Sequence, residues 1–364
     1  MVKPPKKVNA VYTDLRQRIL AGEWPTGAKL PKEKELARQF GCSLGTVSKA
    51  VGLLVYEGLV KRRARAGTTV TCGGKTSAPA RGLDAYAFIY PSEQHEGIWR
   101  TVKGFQNAAR DAGRRVVMLT TGLDYEKETE YLFKLSKFDV RGTVIYPIVP
   151  TPQDLVRFSK LLVSNKFPIV LAEVNLPGLG CSSVGVDGFH AGYTMTRHLI
   201  NRGAKTIGFF SNFAWAPFMR DRYRGYRWAL EEAGLEVPPK GVYLDNTMTP
   251  NFQDPLAEPT AMARNFLQSA GKLEAVVCAD DFLARGCLAA ARSLGRQVPR
   301  DMLVTGIDDY MAADGDEVPL TTYRIPFEEM GRRCFLTLDR DVQSERPTPS
   351  EFLVRGEIVV RESA

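Results

Sequence analysis

The chain lacks most of what would tie it to an oxidising compartment, a membrane or a metal. Its 364 residues include six cysteines, Cys42, Cys72, Cys181, Cys278, Cys287 and Cys334, with no CxxC pair among them. The pattern offers no zinc-ribbon spacing and fits single reduced, buried thiols. The three histidines, His95, His190 and His198, lack ligand spacing, so neither a metal nor a cofactor is expected. No apolar run is long enough to cross a bilayer, and the opening MVKPPKKVNA has no apolar leader core, which points to a cytoplasmic chain without membrane contact. Acidic residues are scarce at one end only. Residues 1–75 hold 5 Asp and Glu against 15 Lys and Arg, whereas residues 76–364 hold 36 against 34. That asymmetry calls for a polyanionic partner at the N-terminal fifth and none elsewhere.

Beneath this charge lies an ordered pattern. Val11, Leu15 and Ile19 recur four apart and predict an amphipathic helix that Gly22 ends. Pro31 opens a second helix with Leu36, Ala37 and Phe40 inward, and Gly41 is its left-handed C-cap. Ser43 caps a third helix, in which Val47, Ala50, Val51 and Leu54 face the core. Gly45, Ser48 and Lys49 point the opposite way, with Thr46 beside them. Leu59–Arg63 and Thr68–Val70 then alternate as strands around Ala66-Gly67. Two helices, a turn and a basic hairpin make a winged helix-turn-helix, a device for placing one helix in the DNA major groove.

Two tempting motifs fail on context. Gly41-Cys42-Ser43-Leu44-Gly45 matches a nucleophile elbow, but a helix rather than a strand precedes it, so Ser43 is a cap. Gly74-Lys75-Thr76 ends like a P-loop, but Thr69 stands where the first glycine is needed. Residues 72–83, CGGKTSAPARGL, read instead as a linker.

From Asp84 onward, short apolar runs alternate with helical patterns. The expected strands are Ala85–Tyr90, Arg115–Leu119, Gly142–Tyr146, Ile169–Glu173, Thr206–Phe210, Gly241–Leu244, Ala275–Ala279 and Leu303–Ile307, with helices between them. This is the rhythm of parallel α/β sheets, here two in succession, with ligands expected at the carboxyl ends of the strands.

The residues also carry two resemblances. LPKEKELA, GCSLGTVSKAV and LVYEGLVKRRARAGTTV resemble the winged-helix domain of the GntR family of bacterial repressors over about sixty residues. Lys32 stands where that family has a capping Ser, and Leu44 and Ser48 stand where arginines are frequent. The resemblance implies DNA contacts from Lys34, Ser43, Gly45, Thr46, Lys49, Arg62, Arg63, Arg65 and Gly67. Thr46 and Lys49 would meet base edges or backbone, and the wing arginines the flanking minor groove.

VGVDGFHAGYTMTRHLINRGAKTIGFF, VVCADDFLARGCLAAARSLGRQVPRDMLVTGIDD and VPLTTYRIPFEEMGRRCFLTL resemble the effector domain of LacI/GalR repressors, whose fold is also that of periplasmic sugar-binding proteins. A GntR head on such a domain is similar to the arabinose-repressor group of Gram-positive bacteria. The resemblance implies a homodimeric repressor of carbohydrate-metabolism genes that binds an operator and answers a small sugar. It is not an enzyme on this reading, and the alternative is a sugar receptor without DNA function. The implied effector contacts are Ser92, Glu93, His95, Tyr146, Glu173, Arg222, Asp280 and Asp308, and Ile325 stands where a glutamine is often found. Trp99, Trp215 and Phe218 are candidates to cover the apolar face of a pyranose. The domain limits expected are 8–71 for the winged helix, 72–83 for the linker and 84–364 for effector binding and dimerisation. The first lobe would hold residues 84–184 and 324–344, the second 185–323 and 345–364.

Overall fold

The computed structural model describes the chain except for residues 1–5, 57–58, 64–66, 72–83, 93–94, 123, 136–139, 148, 150, 164–166, 177, 247–253, 311–317 and 345–346. Of residues 6, 7, 9, 20, 56 and 63 it describes only the backbone. The expected linker, Glu93 and Arg65 therefore lie outside the described residues. The chain divides into two compact units, Met1–Arg81 and Gly82–Ala364.

The first unit comprises α1 (Lys6–Leu20), α2 (Glu33–Gln39), α3 (Leu44–Tyr56), β1 (Val60–Arg63) and β2 (Gly67–Val70). Val11, Leu15, Ile19, Leu36, Val47, Ala50, Val51, Leu54, Val60 and Val70 share one core. Their exclusion from water is the main driving force, at about 25 cal/mol for each Å² buried. Gly41 takes φ +56° at the turn before α3, a conformation that costs glycine little. Strands β1 and β2 pair antiparallel from Val60↔Val70 to Arg63↔Gly67. The segment before α2 adds to this hairpin: Lys29 bridges Thr69, and Leu30 N donates to Thr68 O at 2.9 Å. Sequence periodicity over so short a stretch gave no sign of it.

The second unit holds two six-stranded sheets. The first lobe contains β3 (Ala85–Tyr90), α4 (Glu96–Asp111), β4 (Arg115–Thr120), α5 (Tyr125–Leu135), β5 (Val140–Ile145), α6 (Pro152–Val163), β6 (Ile169–Ala172) and β7 (Ser182–Val186). The second contains α7 (Gly188–Asn201), β8 (Ile207–Ser211), α8 (Pro217–Glu232), β9 (Val242–Leu244), α9 (Ala257–Ser269), β10 (Ala275–Cys278), α10 (Asp281–Ser293), β11 (Leu303–Asp308) and β12 (Thr321–Arg324). The chain then returns to the first lobe with α11 (Phe327–Gln343) and β13 (Glu351–Val354), and to the second with β14 (Glu357–Val359). Strand orders are β13-β7-β6-β5-β3-β4 and β14-β12-β11-β10-β8-β9. All pairs are parallel except β12 with β14.

The expected return to the second lobe at residue 345 is corrected. Residues 351–354 pair with β7, from Glu351↔Ser183 to Val354↔Val186, so the crossing falls at residues 355–356. Without β13, the buried strand β7 would leave its ladder groups unpaired at a sheet edge. The three interlobe crossings are tied together. Asp187 accepts from His190 N at 2.9 Å and from Arg355 Nε at 2.8 Å, while its own N–H donates to Val354 O at 2.9 Å. Gly356 N donates to the Tyr323 hydroxyl at 2.7 Å, which also lies 2.8 Å from His190 Nδ1. Close helix packing then seats the site. A Cβ on Gly192 of α7 would stand 1.9 Å from Arg222 O, so only glycine lets α8 settle there.

Candidate functional site

The carboxyl ends of both sheets bring acids and one arginine together. Arg222, in α8, is 2% exposed and donates from Nη2 to Asp308 Oδ1 at 3.2 Å and from Nη1 to the Ala279 carbonyl. Its charge also acts on Glu173, just after β6, and on Asp280, just after β10. Burial pushes the Glu173 carboxyl up to about 7 against the pull of Arg222. Burial likewise raises Asp308, with Arg222 opposing and Asp281, Asp280 and Glu173 adding repulsion. Asp280 is raised by burial, restrained by the Leu283 N–H it caps at 2.8 Å and by Arg222. Three acids thus share one guanidinium.

Backbone strain marks the same place. Glu173 and Asp308 hold φ of +66° and +127°, a region L-residues seldom occupy. Such strain persists where the surroundings over-determine it, often at functional sites.

Among the described residues, Arg222 Nε in this centre, Asn212 Oδ1 and Trp215 Nε1 between β8 and α8, and His95 Nδ1 beside Tyr310 are buried with no protein partner. Leaving a buried polar group unpaired costs about 1–3 kcal/mol, so such atoms mark places for polar ligand groups. Trp215 packs edge-on to Phe213 at 5.0 Å, and Phe218 lies 6.0 Å from Phe213 and 5.8 Å from the Arg222 guanidinium. His95, from the first lobe, meets Tyr310 of the second at 5.4 Å with rings perpendicular. Desolvation lowers this imidazole to about 4, so it is neutral at pH 7.

Not every expected residue stands here with a free polar group. Tyr146 is buried in the hydrophobic core that runs through both lobes. Ser92 is half-buried after β3. Trp99 is 47% exposed on α4 with Lys103 Nζ 5.0 Å from its ring centroid, so it belongs to the outer surface rather than to the cleft. Ile325 is fully buried. Asn212, Tyr310 and Phe282, whose ring lies 6.4 Å from His95 and 5.5 Å from Tyr310, carry nothing in their local sequence that distinguishes them from ordinary loop and helix residues. Asp281 was passed over beside Asp280. Its oxygens accept from Thr322 Oγ1 at 2.6 Å and Tyr310 N at 2.9 Å, so it anchors the loop.

In the first unit, Lys34, Ser43, Gly45, Lys49 and Gly67 are exposed. Ser43 Oγ accepts from Thr46 N at 3.2 Å and lies 2.9 Å from Thr46 Oγ1, so Thr46 is partly engaged by the cap. Arg62 is paired with Glu33 and reaches Ser48 Oγ at 3.3 Å, tying the wing to α2 and α3. Of Arg63 only the backbone, in β1, is described.

Residues 7–70 match the model of bacterial regulatory proteins of the gntR family, and residues 196–364 match the periplasmic binding protein-like domain. The chain is 30% identical to the arabinose metabolism transcriptional repressor of Geobacillus stearothermophilus, over 97% of each chain. It is 26% identical to the repressor of the same name from Halalkalibacterium halodurans, over 98% of this chain and 96% of that one. Its fold resembles the transcriptional regulator CelR–cellobiose complex, with TM-score 0.66 and 24% identity over 92% of this chain and 100% of that one. It also resembles the transcription regulator CcpA of Lactococcus lactis, with TM-score 0.65 and 21% identity over 77% and 98%. Head, two-lobed unit and full-length relatives agree: the chain belongs to the bacterial transcriptional regulators that join a gntR-type DNA-binding head to a periplasmic-binding-protein-like domain.

Proposed function

We propose that this regulator is a cytoplasmic homodimeric repressor of carbohydrate-metabolism genes whose operator binding is governed by a neutral sugar held between its lobes. The observation that carries the reading is the buried Arg222–Asp308 pair, with Arg222 Nε left unpaired and three further unpaired buried polar atoms on Asn212, Trp215 and His95. Glu173, Asp280 and Asp308 offer acceptors to vicinal hydroxyls. The Arg222 and Trp215 N–H groups supply donors, and Phe213, Trp215 and Phe218 give an apolar wall for a ring face. With three acids around one engaged guanidinium, an anionic ligand is disfavoured. Ser92 and His95 complete the proposed first-lobe wall, and Glu93 and Tyr146 are retained as proposed effector contacts. In the head, Lys34, Ser43, Gly45, Thr46, Lys49 and Gly67 face the operator, Arg63 and Arg65 are further proposed contacts, and Arg62 braces the wing.

Thermal-shift and calorimetric screening against neutral mono- and disaccharides, with matched sugar phosphates and uronates, tests the reading. A neutral sugar that stabilises the wild type but not Arg222→Ala supports it. Stabilisation by anionic sugars alone overturns it.

A further inference from the structure

Helix α3 carries two glycines, Gly45 and Gly52, seven residues apart and so on one stripe with Ser48 and Lys49. The fold has no need of either. Neither takes a left-handed backbone angle. A Cβ on Gly52 would meet no atom within 4 Å, and one on Gly45 only the Ser43 hydroxyl at 3.9 Å. Every other described helical glycine is crowded. At Gly104, Gly192, Gly225 and Gly331 a Cβ would stand 1.9–2.1 Å from a neighbouring backbone oxygen. At Gly97, Gly188 and Gly286 it would approach within 2.6–2.8 Å of a neighbour. Glycine in a helix is less stable than alanine, because it leaves more backbone freedom to lose on folding. Two unforced glycines on one exposed stripe are therefore a cost to the head that its own packing does not explain.

The stripe has a second unusual feature. At its N-terminal end Leu44 is 54% exposed, and along its length Lys49 is the sole charged side chain. We infer that the Leu44–Gly45–Ser48–Lys49–Gly52 face is shaped for close contact with the floor of the major groove. The missing Cβ atoms leave room for base edges and sugar-phosphate backbone, and Leu44 lies against a thymine methyl group, the one apolar feature a base pair shows in that groove. This rests on the docking of α3 proposed above. It adds that Leu44, Gly45 and Gly52 read the operator by shape and methyl contact, beside the charge that Lys49 and the Arg62 guanidinium at Ser48 Oγ supply.

The test uses the full-length chain and a duplex that the wild type selects from a random pool. Gly52→Ala should raise the melting temperature of the head by a few degrees, since the added methyl group fits and favours the helix. The same substitution should weaken binding to the selected duplex by about tenfold, the size of one lost base-level contact. Its salt slope should stay unchanged, because no phosphate contact is lost. Gly45→Ala should weaken binding similarly. Uracil in place of the contacted thymine should weaken the wild type but not Leu44→Ala. Stabilisation with undiminished affinity overturns the inference, and so does a joint fall in stability and affinity, which would give the glycines a role in the fold. Lys49→Ala separates the levels. If it weakens binding while the glycine variants do not, α3 docks but not closely, and if none of them matters the docking itself is wrong.

Discussion

The proposed DNA face of the head and the proposed effector site between the lobes present their polar groups in opposite ways. The polar groups of the head stand in water or are already paired, as Arg62 is with Glu33 and Thr46 with Ser43. Those between the lobes are buried, with Arg222 Nε unpaired and with Asp308 and Glu173 on strained backbone. The first arrangement suits a large, hydrated, charged partner whose binding follows salt. The second suits a small ligand that must replace water at every contact, and it puts the instability in place before the ligand arrives. An effector can then act through the two-lobed unit by relieving that instability in one arrangement of the lobes more than in another.

Arg222 gives the sharpest way to break this contrast. Arg222→Ala leaves Asp308, Glu173 and Asp280 around an uncompensated centre, and effector affinity should fall by ~2–5 kcal/mol. DNA binding without effector should persist, because the head is untouched. Calorimetry and a mobility-shift titration on one preparation check both halves, and wild-type effector affinity would show that the cleft is misplaced.

Proton linkage comes next. Glu173 is raised from its ordinary value of 4.5 to about 7 in the folded chain, so the folded state holds a proton that the unfolded state has released. Its stabilising contribution is complete below about pH 4.5 and is lost as pH rises through about 7. Wild type should therefore lose stability relative to Glu173→Gln between pH 5 and 8, at no more than ~1.4 kcal/mol per pH unit. Comparing the two proteins cancels His95, whose lowered value gives the opposite slope in acid. Parallel profiles would show that Glu173 is solvated like a surface acid.

On the head, Lys49→Ala should reduce discrimination between specific and nonspecific duplexes by ~1–3 kcal/mol while leaving the effector affinity alone. Equal loss on both duplexes would make Lys49 a phosphate contact. The smallest effect concerns the wing. Glu33→Gln frees Arg62 from its ion pair, so DNA binding should strengthen slightly and its salt slope steepen by about one unit. A shallower slope would mean that Arg62 contacts DNA only when Glu33 orients it.

These predictions lean unevenly on the sequence. The winged head was legible because its core is periodic: Val47, Ala50, Val51 and Leu54 fall on one helical face, and Gly41 and Ser43 are local turn and cap signals. The cleft acids and Arg222 were legible through motifs that place them at strand ends. Long-range pairing was not. Arg62 meets Glu33 across 29 residues, and the match of β13 with β7 spans well over a hundred. Strand β7, Ser-Ser-Val-Gly-Val, is buried throughout yet has too few apolar residues to announce a strand. Asn212 looks like an ordinary loop residue until its side-chain oxygen is found buried without a partner, and the same holds for the indole N–H of Trp215, which the sequence offered only as an apolar wall. The surplus glycines of α3 needed the structure too, since only the empty space beside them shows that packing does not require them.

Reciprocity of binding bears most directly on the central claim, that the cleft and the head form one coupled device. Effector affinity measured with and without saturating operator, and operator affinity measured with and without saturating effector, should change by the same factor, on the order of 5–150-fold. Effector affinity that is indifferent to operator would contradict the account and leave a sugar-binding unit joined to a DNA-binding head without communication between them.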